Sequence, residues 1–370
     1  MAQLKYEVVK DFLLEEVKKP SSVNRIPSVR QLMKQFGVSL ATVNRALAEL
    51  ENDNIIIRRP GIGISVNRTP LAVGGIRVPA GGATIVLAYN DYPDEGIWKK
   101  VYGIEEYCRQ KGIRIVTCKI NRETRAGEIV KFVRSQPECE GLILKFGAGR
   151  FSPVELAELS SLEIPVVLYD SSMIYDGAPD NIYRLLPDPA DGGALMAEIL
   201  LRQGHRRIGY IRSEPSNDAN LLSLKSITRR LKLAGVPFGP EDIFSTNINP
   251  WESAPDAVQE LVRRNFATIR NRRLTALIIT AGASAAAALQ TLTELGARIP
   301  EEISLISEGD RSICRYVLPR LTVVEHDLQA MNELAVDIAV GEKRPEKRLV
   351  YFPLHVIERD SIRKFAPEQV

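Results

Sequence analysis

The run from Ile26 to Val66, IPSVRQLMKQFGVSLATVNRALAELENDNIIIRRPGIGISV, decides how this chain reads. Val29, Leu32, Met33 and Phe36 recur at i, i+3, i+4 and i+7, which makes one apolar face of a short helix that follows Pro27 and that Ser28 can cap. Gly37 and Val38 supply a tight turn. Ser39 then caps a second helix whose buried stripe is Val43, Ala46, Leu47 and Leu50. Two short helices joined by a glycine turn form a helix-turn-helix, in which the second helix enters the major groove and its first residues meet base edges. Directly after it, IIIRRPGIGISV reads as two strands around a Pro-Gly-x-Gly turn, a β-wing with Arg58 and Arg59 expected at its base.

Outward from this run, charge is uneven. Residues 1–70 hold 11 Lys/Arg against 7 Asp/Glu, while the remainder holds 38 against 39, so the whole formal excess of +3 traces to the first segment. A positive module on a near-neutral body suits a reader of a polyanion. The segment 69–82, TPLAVGGIRVPAGG, is rich in Gly and Pro and lacks helical periodicity, so it reads as a linker between residues 1–68 and a second unit over 83–363.

In that second unit short β-branched runs alternate with amphipathic stretches: TIVLAY, a helix near 98–110, IRIVTC, a helix near 126–134, GLILKF, a helix near 153–160, and PVVLYD. A second set follows with RRIGYI, ALIIT and ISLIS. The alternation predicts βαβ units and parallel sheets covered by helices, and two such sets predict two lobes with a ligand-binding cleft between them. The fold class is therefore α/β with an α+β head.

The chain holds no run of about 18 apolar residues, and its N-terminus threads charges through MAQLKYEVVKDFLLEEVKK, so neither a membrane span nor an export signal is expected. Cys108, Cys118, Cys139 and Cys314 fall at irregular spacings with no CxxC pair and read as reduced thiols of a cytoplasmic protein, with no metal cluster. No P-loop, GxSxG or HExxH is present, and the three histidines are scattered. An enzyme is not expected, nor a cofactor.

The quoted run resembles the winged helix of the GntR family over nearly all of residues 1–68. The resemblance implies DNA contacts from Arg30, Thr42, Asn44, Arg45 and Gly63, to which Lys34, Ser39, Arg58 and Arg59 are added as candidates on the same faces. Leu40, Asn44 and Ile62 depart from positions where that family often carries Arg or another polar group. Fewer guanidiniums imply fewer phosphate contacts and a shallower salt dependence, each phosphate contributing a slope of about −0.9. Asn44 suits a bidentate contact to adenine, and Arg45 either a phosphate or a guanine.

Further on, LPDPADGGALMAEILLRQGHRRIGYI (186–211), LTALIITAGASAAAALQTLTELGARIPEEISLISEGD (274–310) and LPRLTVVEHDLQAM (318–331) resemble the effector domain of the LacI/GalR family. The resemblance implies a two-lobed, periplasmic-binding-protein-like sensor of type I, with lobe 1 over 83–186 and 327–344 and lobe 2 over 187–326 and 345–363. In such folds the ligand meets the C-terminal ends of strands, here Asn90 and Asp91, Lys145 and Phe146, Asp170 and Ser171, Ser213 and Glu214, Asp310, and His326 with Asp327. The candidate effector set is Asn90, Asp91, Lys145, Phe146, Asp170, Trp251, Asp310 and His326. Ser223, the pair Ala281-Gly282 and Gly309 replace residues of the family's usual sugar clamp. The ligand is then something other than a simple sugar, with Lys145 suited to an anionic group, or the cleft is empty and the second domain serves dimerisation or protein contact. The resemblance also implies a homodimer, joined through a face that includes 98–110, on a near-palindromic double-stranded DNA operator.

Overall fold

In the computed structural model the described residues are 5–18, 27–52, 56–59, 63–66, 82–92, 94–146, 151–170 and 179–364. The chain divides into two compact units, Met1–Arg77 and Val78–Val370. The linker expected over 69–82 and Ile62 and Ser171 fall outside the described residues, Ala83's neighbour Gly82 excepted.

The first unit holds helices α1 (Lys5–Lys18), α2 (Val29–Phe36) and α3 (Leu40–Asn52) and the antiparallel strands β1 (Ile56–Arg59) and β2 (Gly63–Val66). Ser28 caps α2 through a reciprocal box: its Oγ accepts from the Gln31 amide and its own amide donates to Gln31 Oε1 at 2.8 Å. Gly37 ends the helix at φ +58, a left-handed turn that a β-carbon disfavours. The two stripes read from periodicity meet Val9 and Leu13 of α1 in one core, where Leu32, Val43, Ala46, Leu47 and Leu50 are fully buried.

The second unit carries two six-stranded sheets. The first, ordered β13-β7-β6-β5-β3-β4, is parallel throughout. Its strands are β3 (Thr84–Asn90), β4 (Arg114–Ile120), β5 (Cys139–Lys145), β6 (Val166–Tyr169), β7 (Ile182–Pro187) and β13 (Leu349–Phe352), with helices α4 (Glu95–Lys111), α5 (Ala126–Arg134), α6 (Pro153–Ser160) and α12 (Leu328–Ala339). The second, ordered β14-β12-β11-β10-β8-β9, is parallel except for β14. It comprises β8 (Ile208–Arg212), β9 (Ile243–Ser245), β10 (Ala276–Ile279), β11 (Ser304–Glu308), β12 (Thr322–His326) and β14 (Leu354–Ile357), with α7 (Pro189–Arg202), α8 (Asp218–Leu233), α9 (Ala254–Asn271), α10 (Gly282–Glu294) and α11 (Ile313–Tyr316).

Each sheet buries both faces, which is why β3 is buried at every position and reads as an unbroken apolar run. The chain crosses between lobes three times. Two crossings, after Pro187 and after His326, end in helices capped by Asp188 and Asp327. The third lies at Pro353 and not at 345, because β13 still pairs with β7 of the first lobe.

Candidate functional site

Two sites take shape, one in each unit. In the head, α3 presents Leu40, Asn44 and Arg45 to solvent on the side away from its buried stripe. Ser39 Oγ accepts from the Thr42 amide at 3.3 Å and shares a hydrogen bond with Thr42 Oγ1 at 2.9 Å, so both hydroxyls are engaged in starting the helix. The Arg45 guanidinium lies 4.0 Å above the Tyr6 ring of α1, which fixes its height on the helix surface. Lys34 is exposed near the end of α2. Arg30 falls in the first turn of α2, and its side chain, like those of Arg58 and Arg59, is outside the described residues. In the wing, Arg59 pairs with Gly63 and Ile56 with Val66, so Arg58 and Arg59 stand toward the turn and not at the wing's base as expected.

In the body, a cavity of about 600 Å³ opens between the lobes at the C-terminal ends of the parallel strands. Strand order reverses there, between β3 and β5 in one lobe and between β8 and β10 in the other. Asn90, Lys145, Asp170 and Trp251 of the expected set line it. Lys145 Nζ lies 2.9 Å from Asp170 Oδ2 and donates to the Asp170 carbonyl at 3.1 Å, and Lys100 of α4 holds the same carboxylate. Burial alone would raise the Asp170 carboxyl, but the two ammonium groups outweigh it and keep it well below the ordinary carboxylate range. Burial lowers Lys100, with Lys145 and Arg311 adding to the effect against the pull of Asp170.

Four expected residues stand off the wall. Asp310 is buried and spent on arginines: Oδ1 accepts from Arg359 at 2.8 Å and Oδ2 from Arg315 at 2.6 Å. His326 is buried with Nδ1 2.8 Å from Glu325 Oε1. Phe146 packs in the first lobe's core with its ring centroid 4.5 Å from that of Phe151. Asp91 is exposed and pairs with Lys119 at 3.1 Å.

The structure brings Tyr92, Lys100, Glu308 and Arg311 to the wall as well, together with Glu214, which was expected at a strand end. Tyr92 of the first lobe meets Trp251 of the second edge to face at 5.8 Å. Glu308 closes β11 with its carboxyl pushed up to about 7 by burial and by Glu325, Asp170 and Glu214. The lobes are also clasped beside the cavity. Glu95 accepts from the Ser312 amide at 2.9 Å and from its hydroxyl at 2.7 Å, and Lys99 donates to the Asp310 carbonyl at 2.8 Å. Burial opposes it, yet the bonds from Lys99 and Ser312 draw Glu95 down to about 2. Lys100 falls inside the helix expected near 98–110, and nothing local to it points to Asp170, 70 residues on; the helix itself begins at the cap Asp94, whose side chain accepts from the Ile97 amide at 3.0 Å.

Comparison with known proteins agrees with these two architectures. Residues 8–66 match the model of the bacterial regulatory proteins of the gntR family, and residues 197–362 match that of a periplasmic binding protein-like domain. The chain is 26% identical over 345 residues to an arabinose metabolism transcriptional repressor of Geobacillus stearothermophilus, covering 91% of this chain and 89% of the relative. It is 23% identical over 342 residues to a ribose operon repressor of Haemophilus influenzae, covering 90% and 98%. The crystal structure of the transcription regulator CcpA of Lactococcus lactis superposes with a TM-score of 0.63 at 16% identity, over 76% of this chain and all of that one, a likeness of fold. The chain thus joins a head similar to the gntR family of bacterial regulatory proteins to a body similar to periplasmic binding protein-like domains.

Proposed function

We propose that the protein is a sequence-specific DNA-binding transcriptional repressor whose operator affinity is set by a small molecule held between the two lobes. The observation that carries this reading is the presence, in one chain, of a helix-turn-helix with a free-standing α3 face and a two-lobed body with a polar cavity at its strand ends. In this reading Asn44 reads a base edge, Leu40 offers its exposed side chain to a thymine methyl, and Arg45 contacts a phosphate or guanine. Arg30, Lys34, Ser39, Thr42 and the wing residues Arg58, Arg59 and Gly63 position the head on the backbone. The effector meets Asn90, Lys145, Asp170 and Trp251 together with Tyr92, Glu214, Glu308 and Arg311.

The chain works as a cytoplasmic homodimer with no catalytic role. Exposed Trp98 and Tyr102 on α4, with ring centroids 6.3 Å apart and planes tilted by 32°, support a dimer face that includes this helix. The effector favours one lobe closure, which changes how the two heads are presented to their half-sites.

The test is recovery and sequencing of genomic fragments bound by the purified protein at near-physiological salt. A few near-palindromic sites with half-sites about one or two helical turns apart support the reading. Uniform recovery overturns sequence-specific regulation. Trp251→Ala should then keep unliganded operator affinity and lose the response to effector.

A further inference from the structure

The carboxylates that line the cavity divide into matched and unmatched. Asp170 is held by two lysines, Glu95 by Lys99 and Ser312, and Glu252 by the Asn249 amide and side chain, each at 3.0 Å. Asp94 caps α4 and lies 3.6 Å from Arg311. The carboxylates of Glu214 and Glu308 make no hydrogen bond or ion pair among the described residues, although both line the cavity.

These two carboxylates flank one gap. Glu214 follows β8 and Glu308 ends β11, while β10 between them leads into Ala281, Gly282 and Ala283, which put no long side chain into the space. Three buried polar atoms lining the same cavity also lack partners among the described residues: Asn90 Oδ1 from the first lobe and Ser223 Oγ and Ser284 Oγ from the second, on residues 6%, 3% and 1% exposed. Buried polar atoms are rarely left unmatched unless a ligand or water completes them. Trp251 and Tyr92 close the set with aromatic surface contributed from both lobes.

We infer that the effector carries an ammonium group seated between Glu214 and Glu308, on a small hydroxylated body whose polar groups engage Asn90, Ser223 and Ser284. The inference rests on the reading of this cavity as the effector site. An anionic effector fits less well, because Lys100 and Lys145 are already committed to Asp170. A cation supplies what the two glutamates lack, and the negative faces of indole and phenol favour it as well.

Protonation supports the same assignment. Desolvation, with Asp94 and Asp170 adding to it, pushes Glu214 up against the pull of Arg311 and Lys145, and desolvation pushes Glu308 up to about 7. The groups that face Glu308 are Glu325, Asp170 and Glu214, which repel its charge, Lys100, which is engaged by Asp170, and the Tyr210 hydroxyl. An ammonium group placed there favours the ionised form, so its binding strengthens as pH rises through 7.

The experiment is isothermal titration of the full chain at pH 6, 7 and 8 with D-glucosamine against D-glucose, D-galactosamine against D-galactose, and D-glucuronate as the acidic counterpart. At least one amine should bind ten-fold or more tighter than its neutral and acidic counterparts, with affinity rising several-fold from pH 6 to pH 8. Glu308→Gln should erase most of that preference while the variant melts no lower than the parent at pH 6, as expected of a neutral group in place of a raised acid. A neutral or acidic sugar binding as tightly overturns the inference, as does silence of the whole panel, or a preference that survives Glu214→Gln and Glu308→Gln together. If a neutral or acidic sugar binds and still moves operator affinity, the regulator reading stands and only the amine assignment falls. Operator affinity that no occupant of the cavity alters removes the effector reading itself.

Discussion

Replacing Asp310 with Ala tests whether this residue is a ligand contact or a structural one. Its side chain is 4% exposed and that of Arg359 is 10% exposed, and the two meet at 2.8 Å. Arg359 keeps one further anchor, donating from Nη1 to the Leu321 carbonyl at 2.8 Å, which satisfies a hydrogen bond but not the charge. Losing one partner of a buried pair costs about 3–5 kcal/mol, since the other charge stays in a medium that solvates it poorly. Arg315, at 56% exposure, adds no more than about 1 kcal/mol because water already screens it. For a body of this size each kcal/mol moves the melting point by roughly 2 °C, so Asp310→Ala should melt roughly 6–10 °C lower. Arg315→Ala should stay within roughly 2 °C of the parent by the same scaling. Differential scanning calorimetry of both variants, with titration of an effector where one is known, measures this. An Asp310→Ala protein that melts like the parent and no longer responds to effector refutes the structural role and returns Asp310 to the ligand set.

Three further outcomes are expected. Asn44→Ala should weaken operator binding by about 1–3 kcal/mol and relax sequence preference at one position, leaving the body's melting unchanged; gel-shift titration against the parent site and single-base variants checks it. His205 is fully buried with Nδ1 2.9 Å from Thr275 Oγ1, and desolvation depresses it to about 4 from 6.5. The unfolded chain therefore binds the extra proton first, and the stability owed to neutral His205 is complete above pH 6.5 and lost toward pH 4, by about 3 kcal/mol. Glu308 acts in the opposite sense over pH 4.5–7, because a raised acid stabilises the fold at the low end of its window and loses that contribution as pH rises. Melting curves of the parent and His205→Gln should therefore converge as pH falls from 7 to 4, and a constant gap would contradict the assignment. Glu95→Ala removes the acceptor that joins α4 to Ser312, and small-angle scattering should show the sensor shifted toward a more open average; an unchanged profile would mean that the clasp does not govern closure.

Helices α2 and α3 of the head and strands β3, β4, β5, β6, β8, β10 and β11 were legible because each is set by a local pattern, a 3.6-residue period in one case and a continuous buried run in the other. What was not legible depends on partners far away in the chain. Asp170 and Asp310 look alike in sequence, each an acid following a strand. One is held by Lys100, 70 residues earlier, and the other by Arg359, 49 residues later, and only that difference places one in the cavity and one in the framework. The last lobe crossing was hidden for a related reason. LVYF and LHVI are separated by Pro353 alone and read as one strand region, yet Pro353 cannot donate to a ladder, and the chain uses it to leave one sheet and enter the other.

The departures from the family's sugar clamp are linked by backbone geometry. A β-carbon on Gly282 would fall 2.3 Å from the Gly309 carbonyl oxygen and 2.6 Å from Cys314 Sγ, both closer than atoms can approach. Gly309 in turn holds φ at +86, a conformation other residues adopt only under strain. The loops after β10 and β11 therefore pack on each other through two glycines, and any side chain at 282 would force the second loop away. The small residues at 281–283 and the turn at Gly309 are thus parts of one local arrangement, and Glu308, immediately before Gly309, lies at its root.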